Sequence, residues 1–140
     1  MSLLYDVVKK IATLSTAFTA AGTSASTTGN VFASRLPHTP ATAIVVLQSP
    51  GGPPQHSFTG GVPFEQPRVQ VIVRSTSYAT AESYAQTIWD GLDGIANSTT
   101  VSSSGPRYVE ISALQSPFDL GRDDNEWARI ACNYQVKKER

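Results

Sequence analysis

The chain has little of what most enzymes and most secreted domains depend on. Its 140 residues contain one cysteine and two histidines. A lone thiol forms no internal disulfide, and no second cysteine stands near it for a zinc site. Cys132 instead alternates in register with Ala128, Ile130, Tyr134 and Val136, the pattern of a small apolar residue buried in a strand. Charge is also sparse: 16% of residues are Asp, Glu, Lys or Arg, and eleven basic residues balance eleven acidic ones. Binding to free nucleic acid or to a membrane surface draws on a basic excess that is missing here. Arg68, Arg74, Arg107, Arg122 and Arg129 are scattered among acidic residues, and the only basic run, Lys137 to Arg140, is short. No apolar stretch approaches the roughly 20 residues that span a bilayer. After Lys9 and Lys10 the run IATLSTAFTAA resembles a secretory leader, but Ser and Thr interrupt it, and an amphipathic helix accounts for it better.

What is present suits one ordinary core. A domain of this length buries roughly two thirds of the surface its unfolded chain exposes. Leu4, Val7, Val8 and Ile11 fall at helical spacing, with Ser2 placed to cap a helix running roughly from Leu3 to Leu14. The Ser-, Thr-, Ala- and Gly-rich stretch 13–30 has no sustained period and reads as flexible or extended. After Pro37 and Pro40 the run ATAIVVLQ predicts a strand, apolar on both sides and so covered on both. The segment SPGGPPQ, and the residues after it as far as Pro67, predict a long loop. Arg68 to Ser75 alternates as a strand, with Val69, Val71 and Val73 on one face. A second helix is expected over about Thr80 to Asp93, capped by Thr80 or Ser77 and stopped at Gly94, with Trp89 the largest residue of its apolar face. A polar turn at 97–105 leads to a strand in which Val109, Ile111 and Ala113 alternate with Tyr108, Glu110 and Ser112. The last strand spans about Glu126 to Val136, and the KKER tail is expected to fray. The order predicts an α+β single domain: a mainly antiparallel sheet of four to five strands with two main helices packed on one face.

No catalytic or metal motif stands out. His38 lies among prolines and His56 in the GGPPQHSF stretch, with no nucleophile-elbow sequence to join them. Asp119, Asp123, Asp124 and Glu126 lack the spacing and the glycine of a calcium loop. The paired glycines are not at a strand-to-helix junction and form no phosphate cradle. No cofactor and no metal are expected.

Four pieces in order carry a resemblance: a hydrophobic strand followed by the GGPP segment; PRVQVIVRSTSYATA; the helix end IWDGLDGI; and RYVEI…SPFDLGRDDNEW…NYQV, with LGRDDN the most specific. From Thr42 to Val136 the chain resembles the tail terminator family of long-tailed phages; the first 40 residues or so show no likeness. The resemblance implies a virion protein at the junction of head and tail: a ring of six copies that caps the tail tube, stops its growth and offers a surface to the head connector. Partners would be other copies of the chain, the major tail tube protein and a head connector or head-completion protein, with DNA only passing through the lumen. Two projecting elements are candidate contacts: Pro50, Gly51, Gly52 and Pro53, and Phe118, Leu120, Gly121, Arg122, Asp123 and Asp124. The alternatives are a head-completion or connector adaptor of the neck, and more remotely a small hydrolase using His56 and the acidic turn.

Overall fold

The computed structural model describes residues 3–20, 29–36, 41–55, 64–98 and 108–139. Its elements are α1 (Leu3–Ala12), β1 (Val31–Ala33), β2 (Ala43–Gln55), β3 (Phe64–Ser75), α2 (Tyr78–Leu92), β4 (Ile95–Ser98), β5 (Tyr108–Ala113), β6 (Phe118–Arg122) and β7 (Ala128–Glu139). The strands form one sheet in the order β1-β2-β3-β7-β5-β4, with β6 also paired to β7. Every pairing among these strands is antiparallel except β1 with β2.

The α+β class is as expected, but there are seven strands. The additional ones, VFA, IANS and FDLGR, are three to five residues long, too short to show a period of two.

One face of the sheet carries the helices. Leu3, Val7, Val8 and Ile11 of α1 and Ala81, Ala85, Ile88 and Leu92 of α2 are buried. They close over Val69, Val71 and Val73 of β3 and over Ile130, Cys132, Tyr134 and Val136 of β7. Ser77 caps α2, accepting from the Thr80 backbone N–H at 3.4 Å, and Gly94 at φ +88° ends it. Trp89 is half-buried and Ile88 and Leu92 are the buried anchors.

Several sequence expectations need correction. Within 13–30, residues 21–28 lie outside the described residues, but Phe18 is buried and Ala20 bridges to Val31. Side chains on both sides of β2 are buried, yet described helices cover only one of its faces. Tyr108, expected on the outward side of its strand, is fully buried. A register shift between Tyr108 and Glu110 inserts Val109 as an extra residue and reverses the alternation there. β7 starts at Ala128, because Glu126 adopts a positive φ in the preceding turn. It continues to Glu139 rather than fraying, since Lys138 pairs in register with both Glu65 and Tyr108. The turn at 97–105 falls mostly outside the described residues, as do His38 and His56.

Candidate functional site

The predicted Pro/Gly loop is a strand. β2 runs through SPGGPPQ and pairs with β3, whose first residue is Phe64. Pro50, Gly51, Gly52 and Pro53 therefore lie in one arm of a long β-hairpin, not in a loop. Proline cannot donate to a ladder, which is why the sequence suggested an interruption. The chain solves this with bulges: the register shifts between Ser49 and Gly52, and again between Gly52 and Gln55. The first shift takes up Pro50 with Gly51, and the second takes up Pro53 with Pro54. Gly51 is required by the neighbouring strand, because a Cβ there would run into the Gln66 carbonyl oxygen and come within 2.7 Å of Pro67 Cα.

Pro67 makes a matching gap on the other side of β3, where register partners to β7 skip from Glu65 to Arg68. The Gln135 side chain fills it. Its Nε2 donates to the carbonyls of Gln66 at 3.0 Å and Pro67 at 3.3 Å, and its Oε1 accepts from Arg68 Nε at 2.8 Å. A Lys138–Glu65 ion pair of 2.9 Å ties the same arm to β7. Gln135 was not singled out from sequence, since its role depends on a strand more than sixty residues away.

The second predicted element, LGRDDNE, closes the hairpin between β6 and β7. Phe118 lies opposite Ala131 and Arg122 opposite Ala128. Gly121 holds φ +85°, a left-handed conformation that suits glycine. Asp119 accepts from the Gly121 N–H at 2.7 Å. Asp123 organises the tip: its Oδ1 accepts from the N–H groups of Asn125 at 2.9 Å and Trp127 at 3.0 Å. Arg122 Nη1 donates to the Glu126 carbonyl at 2.6 Å. The Asp123 carboxylate is thus engaged within the turn, while Leu120, Arg122 and Asp124 are exposed.

Behind the tip, Arg74 and Arg129 stand directly opposite one another on β3 and β7, an arrangement that like charges normally disfavour. Arg74 is buried, donates to the Ala41 carbonyl at 3.0 Å and lies 4.8 Å over the Trp127 ring. Burial opposes ionisation of Asp123, but the Trp127 and Asn125 N–H groups and the charges of Arg74 and Arg129 outweigh it, so its carboxyl titrates below the ordinary range. A depressed folded-state pKa contributes stability above the ordinary carboxylate pKa, near 3.8, and loses it as pH falls further. Acidification through this window is therefore expected to loosen the tip, read by Trp127 fluorescence and amide exchange at Asn125 and Trp127. An Asp123→Asn chain keeps the acceptor without the charge and should lose that response; an unchanged acid transition in this variant would remove Asp123 as its cause.

The two predicted elements are not brought together. In register, Arg122 and Ala128 mark one end of the sheet, and Gln55, Phe64 and Glu139 mark the other. Gly52 lies opposite Gln66, between the partners of Gln135 and Lys138, whereas Arg122 lies opposite Ala128, so the two elements are separated by roughly 30 Å along the strands. Among the described residues no group of His, Cys, Asp and Glu is arranged to hold a metal, and no helix is long and apolar enough to cross a membrane.

Residues 11–140 match the model of a family described as bacteriophage tail terminator protein. The chain belongs to this family. It is a structural protein of the phage virion at the end of the tail, and it assembles with other virion proteins. The match reaches into the N-terminal part, beyond the Thr42–Val136 stretch in which the resemblance was legible. A chain from the structure titled "Virion of native gene transfer agent (GTA) particle" shares the fold with a TM-score of 0.57, at 19% identity, over 99% of this chain and 96% of that one. No curated protein matches the chain.

Proposed function

We propose that six copies close into a ring on the finished tail tube, where they block further tube addition and present a surface to the head connector. The supporting observation is the separation of the two candidate contact elements along the sheet. A capping layer must meet two different neighbours along one axis, and a subunit with the Pro/Gly arm at one end and the LGRDDNE tip at the other has a distinct surface for each. Closure of a ring makes the last contacts intramolecular, so individually small interfaces suffice. DNA passes through the lumen of such a ring without a dedicated binding cleft.

Removal of the gene, with the lysate viewed by electron microscopy, is expected to give unattached heads beside tails of abnormal length. Tails of normal length beside leaking heads would move the protein to a head-completion role. A milder test targets the tip. Arg122→Glu changes an exposed residue and is expected to melt within a few degrees of wild type while joining heads to tails poorly. Normal joining in that variant would take the tip out of the contact surface.

A further inference from the structure

One row across the sheet sets two like charges side by side. Ala43, Arg74, Arg129 and Gly121 are successive register partners across β2, β3, β7 and β6. Directly opposed cations lower the stability of a sheet, and a local departure of this kind is where function is to be sought. Both arginines lie on the face away from the helices, since their chain neighbours Val73 and Ile130 belong to the core beneath α1 and α2. Small residues flank the pair. Gly121 adds no side chain next to Arg129, and the space where one would stand is open, with nothing within 4 Å.

The two guanidinium groups are not equivalent. Arg74 is 5% exposed, donates from Nε to the Ala41 carbonyl at 3.0 Å and rests 4.8 Å over the Trp127 ring. Arg129 is half-buried, and its Nε is shielded from water with no hydrogen-bond partner among the described residues. Asp123 feels the charge of both arginines, but its Oδ1 is taken by the Asn125 and Trp127 N–H groups. One carboxylate against two guanidinium groups leaves one positive charge over. A guanidinium presents five donors in a rigid fork that matches a carboxylate bidentately. Arg129 therefore has both the charge and the donors for one more anion.

We infer that Arg129, backed by Arg74, is a receptor for a single carboxylate carried by a neighbouring virion protein that meets the LGRDDNE tip. This deepens the ring reading above and rests on it. The charge around the pair selects one anionic group over a polyanion. Arg74, Arg122 and Arg129 are three cations at this end of the sheet, against the four acids Asp119, Asp123, Asp124 and Glu126. Of these acids Asp119, Asp124 and Glu126 are exposed. A DNA strand would bring its phosphates against them, and binding to a phosphate backbone draws on several cations at once. A side-chain carboxylate brings one charge and is held by charge-assisted hydrogen bonds, the stronger class. The same site accounts for the opposed arginines. Their repulsion lowers the stability of the free subunit and is offset when the partner's carboxylate arrives, which favours the assembled state.

The test reads folding and assembly separately. Arg129→Gln removes the charge and the fork; Arg129→Lys keeps the charge alone. Both purified variants are expected to melt within a few degrees of wild type, because loss of the opposed pair offsets the lost attraction to Asp123. In phage lacking the gene and supplied with each variant, joined particles are counted by electron microscopy. Joining is expected to fall about tenfold or more with Arg129→Gln, and Arg129→Lys should restore only part of it, since an ammonium lacks the bidentate geometry. If Arg129→Gln does not fold, Arg129→Lys decides, and its joining must fall below wild type. In the purified wild type, sodium acetate is expected to shift the Arg129 Nε–H resonance where sodium chloride at equal ionic strength does not. Normal joining with Arg129→Gln, or a resonance that acetate leaves in place, would overturn the site. So would a parallel loss of melting temperature and joining in both variants, which would make Arg129 a structural partner of Asp123. A short DNA duplex that shifts the resonance at lower concentration than acetate would replace the carboxylate by the passing genome and overturn the proposal. Normal tails after removal of the whole gene would instead overturn the ring reading on which the site rests.

Discussion

Tyr134→Ala is expected to cost about 3–5 kcal/mol, the range for removing a large buried ring without collapse of the space left behind. Against a typical total of about 5–15 kcal/mol, that removes a large share of the stability. The reason is position. β7 pairs with β3 along one edge and with β5 and β6 along the other, so it joins the two halves of the sheet. Tyr134 is fully buried at its middle, in register with Val69 on one side and Ala113 on the other. Tyr134→Phe keeps the ring and should cost less than about 1 kcal/mol. It should also change the alkaline limb. Burial, ahead of the neighbouring Cys132, Asp93 and Asp90, pushes the Tyr134 hydroxyl well above its ordinary pKa, and burial with the Asp6 hydrogen bond does the same for Tyr108. A raised folded-state pKa gives stability that is complete below the ordinary tyrosine value of about 10 and declines as pH rises beyond it. Urea unfolding across pH 8–11 measures both effects. A loss below about 1 kcal/mol for the alanine variant would mean that the space collapses and the ring is no anchor.

The parts of the fold legible in the sequence are those with a strong period. Leu4, Val7, Val8 and Ile11 announced α1, and Val69, Val71 and Val73 announced β3, because each element has one face to bury. Ser77 and Gly94 marked the ends of α2 through side-chain and backbone chemistry that needs no partner elsewhere. The LGRDDNE turn was legible for the same reason: Gly121 and the Asx bonds of Asp119 and Asp123 are local. SPGGPPQ was misread because local proline chemistry disfavours a strand, and what restores pairing is distant. The bulges depend on β3, and the gap at Pro67 is filled by Gln135. The burial of Tyr108 was hidden by one inserted residue, which no alternation rule anticipates. The placement of the Pro/Gly segment and the LGRDDNE turn towards different ends of the sheet follows from strand order and direction, which spacing along the chain does not encode.

The other large effect expected concerns a contact invisible at the sequence level, since its partners are 102 residues apart. Asp6 reads as a helix N-terminal acid, suited to the dipole. It is instead 1% exposed, and its Oδ2 accepts from the Tyr108 hydroxyl at 2.8 Å, fastening α1 to the start of β5. Its Oδ1 has no hydrogen-bond partner among the described residues. Tyr108→Phe should therefore cost about 2–3 kcal/mol, because it leaves a buried carboxyl with neither oxygen satisfied. Asp6→Leu should cost about 1–3 kcal/mol by stranding the hydroxyl. The double variant removes both polar groups and is expected to be more stable than the sum of the single losses predicts, by about 1–2 kcal/mol. Asp6→Asn separates charge from bonding: the amide oxygen still accepts from Tyr108, so a neutral or stabilising result assigns the cost of this site to the buried charge. A loss as large as that of Asp6→Leu would show that the Asn variant does not preserve the bond. Strict additivity of the two single changes would show that the hydrogen bond contributes nothing of its own, and that α1 is held to the sheet by its apolar contacts, Leu3, Val7, Val8 and Ile11.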